Sequence, residues 1–442
     1  MPTTISPEHE KLIKETAVDF AERIARHYTA GFGIFPSADP ASNYFNQVWA
    51  RDAAHAGGNY FSRANPQAAI DSLATLLLHQ RPDGSLPSRV EREHQFVKFM
   101  PVVRRWSPNI FRAIEVGFRK RTERPVHEGQ DFAGGEDTVP VTLIAAGELF
   151  NGSERGRKFV LENFNKLMHA AEFFYETKVD REDGLAVMKR ENPDWADTIL
   201  RRGKLSTINI WWARGLRYLE HIAEESGEDE KAAWCGEEYK KVHESIIKKL
   251  LNNDRAIVVN DMDNPAVNGI GGTYFRATAT DDRLDTVASI FGALYFLDAD
   301  SALAVERTLK ARVERGSGLA NFDPPYTQKD VHWVPRLMGQ WLYHNKFVWP
   351  WVTCQNISVK IKIARDHAKA AIRDEFQREA VEDLAKMAQR FRDAGGAYEI
   401  LQPDESKFGS TRFYTPPQYF MGSMASWLGA YAQLKELGWI KE

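Results

Sequence analysis

The stretch Ser206–Ile222, STINIWWARGLRYLEHI, places Ile208, Trp212, Gly215, Leu219 and Ile222 at alternating spacings of four and three. That spacing is one face of an amphipathic helix, and Ser206 is a residue type that caps a helix start. Val160, Phe164, Leu167, Ala171 and Phe174 repeat the pattern, as do Met424, Trp427, Tyr431 and Leu434. Similar segments lie near 7–29, 66–80, 138–151, 229–252, 284–312, 354–371 and 373–395. The spacing predicts about a dozen helices, many in hairpins. Between them run long stretches rich in Gly, Pro, Asp and aromatic residues: 31–50, 81–107, 120–137, 183–205, 253–283, 313–353 and 396–418. Length alone allows roughly three domains, yet no Ser- or Pro-rich linker divides the chain. The expectation is an all-α fold: one domain over 1–442 whose helix hairpins close into a toroid, with its long loops gathered at one end.

Composition narrows the function. Lys plus Arg total 58 against 61 Asp plus Glu, a net charge of -3, so no global basic field points to nucleic acid or an anionic bilayer. No apolar run reaches the roughly 18–20 residues of a membrane span. The charged start MPTTISPEHEKLIKETAVDF lacks the apolar core of a signal peptide. Two cysteines, Cys235 and Cys354, fit a reducing cytoplasm better than a disulfide scaffold. The phosphate loop GxxxxGK[ST], HExxH, paired CxxC motifs and the GxSxG elbow do not occur. Neither a metal nor a cofactor is expected. What remains is carboxylates set among aromatic residues, which form 12% of the chain.

Five places carry that chemistry. Trp49-Ala50-Arg51-Asp52 offers an Arg–Asp pair for two sugar hydroxyls beside an indole that covers an apolar sugar face. Its plainer reading is an N-capping Asp with a paired Arg. Gly135-Glu136-Asp137-Thr138 again opens a helix, and capping explains it equally well. Asn192-Pro193-Asp194-Trp195-Ala196-Asp197 puts a carboxyl beside an indole, where desolvation raises a pKa as a general acid requires; a solvated turn is the alternative. Tyr343-His344-Asn345-Lys346-Phe347-Val348-Trp349-Pro350-Trp351 is either a polar and indole wall or a buried aromatic plug. Ala397-Tyr398-Glu399 supplies a carboxylate that is otherwise an exposed loop residue. A different class is offered by Asp281-Asp282-Arg283-Leu284-Asp285, the DDxxD string by which Mg²⁺-dependent prenyl-diphosphate enzymes hold their metal. Here it follows Thr278-Ala279-Thr280 and reads as a helix start with acidic first-turn residues.

The ordered set of stations resembles the (α/α)6-toroid glycoside hydrolases, above all glycoside hydrolase family 63 with its glucosylglycerate and mannosylglycerate hydrolases and processing α-glucosidases. Debranching α-1,6-glucosidases and neutral invertases look similar too. Trp49-x-Arg51-Asp52 resembles the family's hydroxyl-binding station, and Trp195-Ala196-Asp197 the one carrying the general acid. The string from Tyr343 to Trp351 resembles Y-H-n-G-x-V-W-P-w, and Tyr398-Glu399 falls where the family places its base. The resemblance implies an inverting, exo-acting hydrolase that removes a terminal α-linked glucose or mannose from a small glycoside. Asp197 is then the acid and Glu399 the base, roughly 6.5–9.5 Å apart, with Asp197 the more desolvated of the two. Trp49, Arg51, Asp52, Asp137, Trp195, Trp212, His344, Trp349 and Trp351 are implied to bind the sugar. Thr207 stands where relatives often have Glu, and Lys346 where they have Gly; both departures bear on specificity at the sugar-binding end. Arg201, Arg202 and Lys204 are candidates for an acidic aglycone or form a solvated basic face. A non-catalytic sugar-binding protein on the same toroid is the non-enzyme alternative. Sugar epimerases on related toroids need histidine acid–base groups, and His344 alone is well placed for that.

Overall fold

The computed structural model describes residues 6–40, 42, 44–92, 123–130, 135–191, 193–254, 272–337, 339–403, 407–410 and 414–440. The longer helices run α1 (Pro7–Ile24), α2 (Ala50–Ala56), α3 (Pro66–Leu78), α4 (Thr138–Gly152), α5 (Glu154–Glu162), α6 (Phe164–Lys178), α7 (Ser206–Glu225), α8 (Asp229–Lys249), α9 (Thr286–Tyr295), α10 (Ala299–Arg312), α11 (Pro350–Asp366), α12 (Ala370–Ala394) and α13 (Met421–Glu436). α2 continues through a π-helical turn at Gly57–Phe61.

Six of these helices make a ring. α2, α4, α7, α9, α11 and α13 each pack against the next, and α13 returns to α2. α1, α3, α6, α8, α10 and α12 alternate with them in sequence and pack on the outside. The two sets differ in composition for that reason. α9, TVASIFGALY, is apolar on nearly every side and buries eight of its residues, Thr286 through Ala293. α8 buries only Ala232, Cys235, Val242 and Ile246 and turns its Glu and Lys residues outward, the stripe of a helix with one wet face. Small residues let the inner helices approach: a Cβ on Gly147 of α4 would lie 2.0 Å from the Tyr218 ring of α7, and one on Gly215 would lie 2.9 Å from Leu143. Trp211, Trp212 and Trp427 are fully buried, each burial of this kind stabilising by about 2–3 kcal/mol. Trp427 also donates to the Leu384 carbonyl at 3.1 Å.

Some local readings change. Ser206 is the first helical residue of α7 rather than its cap, and its hydroxyl is buried without a partner among the described residues. Asn209 does the tying instead, donating to the Leu205 carbonyl at 2.8 Å and accepting from the Ala186 amide at 2.6 Å. The segment 284–312 is two helices, broken where Asp298 caps α10 through the Ser301 amide. Parts of the long connections are sheet. Strands β1 (Gln47–Trp49), β2 (Pro87–Glu91) and β3 (Arg124–His127) form an antiparallel sheet in that order. Strands β4 (Leu251–Asp254), β5 (Gly272–Thr278), β6 (Asp281–Asp285) and β7 (Phe322–Asp323) form another, in the order β7-β6-β5-β4. The loops 81–107, 120–137 and 253–283, and Asn192, lie partly or wholly outside the described residues.

The DDxxD string is strand β6 rather than the first turn of a helix, and only its last residue, Asp285, stands at a helix start, as the N-cap of α9. Asp282 points to the opposite face from Asp281 and Asp285, and each carboxylate has its own cation. Asp281 takes Arg283 at 2.7 Å, Asp282 takes Arg276 at 3.0 Å, and Asp285 takes Arg201 at 2.9 Å while capping α9. Among the described residues, no helix is long and apolar enough to cross a membrane.

Candidate active site

The polar stations sit at the starts of inner helices, so the alternation of inner and outer helices brings them to one end of the ring. β1 delivers Trp49 to the start of α2, whose first turn carries Arg51 and Asp52. Trp195 and Asp197 come from the loop before α7. Tyr343, His344 and Trp349 precede α11, and Pro350 at its first position, a site where its missing N–H costs nothing, sets Trp351 in the first turn. Glu399 and Phe420 precede α13. With Tyr44, His55 and Gly422 these residues line one pocket.

Each carboxyl is held by its loop. Asp194 accepts from the Ala196 amide at 3.2 Å, a tight Asx turn that presents Asp197. Arg201, itself buried, clamps that turn from below by binding Asp194 at 2.5 Å and Asp285 at 2.9 Å. Beyond it, His332 donates its amide to the Thr198 carbonyl at 2.9 Å. On the other side, Val348 and Leu401 exchange backbone hydrogen bonds at 3.0 and 2.8 Å, and Ser423 donates to the Tyr398 carbonyl at 2.9 Å. Glu399 is thereby pinned between the starts of α11 and α13.

Arg51 joins Asp197 in the pocket to Asp137 buried behind it. Its Nε and Nη2 donate to Asp137 at 2.8 and 3.0 Å, and Nη1 stands 3.6 Å from Asp197. The indoles form the wall. His344 stacks on Trp349 at 4.8 Å, and Trp195 meets His344, Trp349 and Trp351 at near right angles, 5.4 to 5.9 Å between ring centres. His344 Nδ1 is 2.9 Å from the Thr198 hydroxyl and 3.9 Å from Asp197.

Burial dominates the electrostatics. It pushes Glu399 up to about 7, against the hydroxyls of Tyr414, Tyr343 and Tyr44, which favour its ionised form. Tyr414 donates directly to Glu399. Burial likewise pushes Asp52 up to about 7, with Arg51 pulling the other way. His344 is driven well below its ordinary value by burial and then by Arg51, so it is a neutral ring.

No protein-family model and no curated protein matches the sequence. Solved structures do. A bacterial glucoamylase complexed with acarbose superposes with a TM-score of 0.62 at 13% identity, over 95% of this chain and 55% of its own. A glycoside hydrolase family 63 mannosylglycerate hydrolase from Thermus thermophilus, in complex with glucose, gives 0.60 at 14%, over 95% and 100%. A rhamnosidase from Klebsiella oxytoca with rhamnose bound gives 0.61 at 13%, over 99% and 66%. The chain thus spans about half of the glucoamylase chain. Its fold is the (α/α)6 toroid of glycoside hydrolases.

Within this toroid, Trp49, Arg51, Asp52, Trp195, Asp197, His344, Trp349, Trp351 and Glu399 meet in the pocket, as their loop positions suggest. Two expected sugar contacts do not. Asp137 is buried behind Arg51 and, rather than capping α4 with its side chain, serves as the anchor of that guanidinium. Trp212 is buried against Phe174 at 4.9 Å, between α7 and α6. The basic trio is also spoken for: Arg201 by Asp194 and Asp285, Arg202 by Glu191 at 2.6 Å, Lys204 by Asp180 and Asp183 at 2.8 and 2.6 Å. Thr207 donates to Asp285 at 3.1 Å instead of facing the pocket, and Lys346 is exposed, its ammonium 5.8 Å above the Trp341 ring. The expected order of desolvation is reversed, since Glu399 is 2% exposed while 19% of the Asp197 side chain is. Tyr44, Tyr414, His55 and Phe420 escape the sequence reading. His55 alone had a signal, four residues after Arg51 on one helix face.

Proposed function

We propose that the protein is an inverting, exo-acting glycosidase that releases a terminal α-linked glucose or mannose from a small glycoside or short oligosaccharide. The observation that carries this reading is the convergence of two carboxyls, Asp197 and Glu399, with the Arg51–Asp52 pair and four indoles in one pocket. That it shares its fold with a glucoamylase bound to acarbose and a mannosylglycerate hydrolase bound to glucose supports a carbohydrate substrate. The toroid, read as one catalytic domain, supplies every group.

In this mechanism the terminal sugar lies against the indoles with hydroxyls on Arg51 and Asp52. Asp197, the more exposed carboxyl, faces the departing group and protonates its glycosidic oxygen. Glu399, at the enclosed side, takes a proton from the water that attacks the opposite face of the sugar, as inversion requires. A base near 7 suits neutral conditions. Bound sugar supplies the desolvation that Asp197 lacks in the open pocket. The test is a panel of α-glucosides (glucosylglycerate, sucrose, isomaltose, kojibiose, trehalose) followed by NMR of the first product. Release of β-glucose supports the reading; release of α-glucose removes inversion, and binding without release leaves a sugar-binding protein.

A further inference from the structure

His55 lines the pocket but has no part in the chemistry above. It lies one turn below Arg51 on α2. Its ring is fixed by a sandwich: Trp351 stacks on it at 4.8 Å, Phe291 at 5.9 Å, and Trp211 tilts against it at 5.4 Å. None of these contacts satisfies its polar atoms, and Nε2 is buried with no hydrogen-bond partner among the described residues. Leaving such a nitrogen unpaired is unfavourable, a cost that a Phe in the same aromatic slot would not carry. Burial, reinforced by Arg51, lowers its pKa to about 3, so the ring is neutral and offers one donor and one acceptor. The two nitrogens point apart, so a ligand atom meets one of them; a hydroxyl can give to it or take from it in either tautomer, whereas a carboxylate only takes and an ammonium only gives.

We propose that His55 is a specificity-determining residue that holds one ring hydroxyl of the terminal sugar, so that the site takes a hexose in preference to the analogue deoxygenated at that one position. The inference rests on the sugar-binding reading of the pocket. It is tested by calorimetric binding of glucose and of 2-, 3-, 4- and 6-deoxyglucose to the wild type, H55F and H55Q. H55F keeps the stacked slot and removes both nitrogens. It should weaken glucose about tenfold while leaving one of the four deoxy sugars bound as tightly as by the wild type, and H55Q should recover part of the glucose affinity. An equal loss for all five sugars, or no loss, overturns the proposal. If H55F does not fold, the same single-position pattern must appear in H55Q. Wild type that binds none of the five also overturns it. Hydrolysis is measured separately: the His55 pattern without turnover sinks the glycosidase reading and leaves His55 in place.

Discussion

Arg51 grips Asp137 with two donors and turns its third nitrogen toward Asp197, 3.6 Å away. The position of a candidate catalytic acid thus depends on a buried carboxylate that never reaches the pocket. Replacing Asp137 with Asn sets an amide against two guanidinium donors and leaves a partly buried cation short of its partner. Stability should fall by on the order of 3 kcal/mol, read by urea unfolding, and kcat/KM should fall at least tenfold. Wild-type values for both would make the bridge incidental.

Asp197→Asn and Glu399→Gln should each lower kcat by about 10²-fold or more while the far-ultraviolet spectrum stays native. Near-full turnover in either variant removes that residue from the mechanism.

The Tyr414 hydroxyl donates to Glu399 and favours its ionised form. Tyr414→Phe removes that support, so the carboxyl should hold its proton to higher pH. The acid limb of the pH–rate profile, set near 7 by Glu399 as base, should move up by about one unit. A limb that stays put while kcat falls would make Tyr414 a packing residue only.

Glu399 also bears on stability. Its folded pKa of about 7 lies above the ordinary 4.5, so its contribution is complete below about 4.5 and is lost as pH rises through about 7. Above that, the folded protein carries a buried charge costing on the order of 3 kcal/mol. Asp52, also raised to about 7, acts in the same direction. Between pH 5 and pH 8 the wild type should therefore lose more unfolding free energy than Glu399→Gln. Equal losses would mean that Glu399 is better solvated than its burial implies.

What could be read from the chain follows from the range of the interaction. Helices such as α7 and α8 announce themselves through spacing within a few residues, and Trp49-x-Arg51-Asp52 or Trp195-x-Asp197 place chemistry at a loop-to-helix junction that is local by construction. Asp137 as the anchor of Arg51 depends on a partner 86 residues away, and its position before a helix imitates a cap. Tyr414 reaches Glu399 across a loop with no periodic signal. Strand β6 misled because acidic residues ahead of an apolar run look like the first turn of a helix, whereas pairing with β5 and β7 fixed them as extended. The burial order of Asp197 and Glu399 came out reversed because burial depends on what the ring places over each loop.

The walls of the pocket come from the loops and first turns at the starts of different inner helices, joined by ties such as the Val348–Leu401 pairing, while the ring is held by apolar packing below them. A change of length or of one aromatic residue in a single loop therefore leaves the frame intact. The walls are nonetheless coupled: Arg51 touches Asp197, so in the proposed mechanism a change made to recruit a new departing group also disturbs the hold on the terminal sugar.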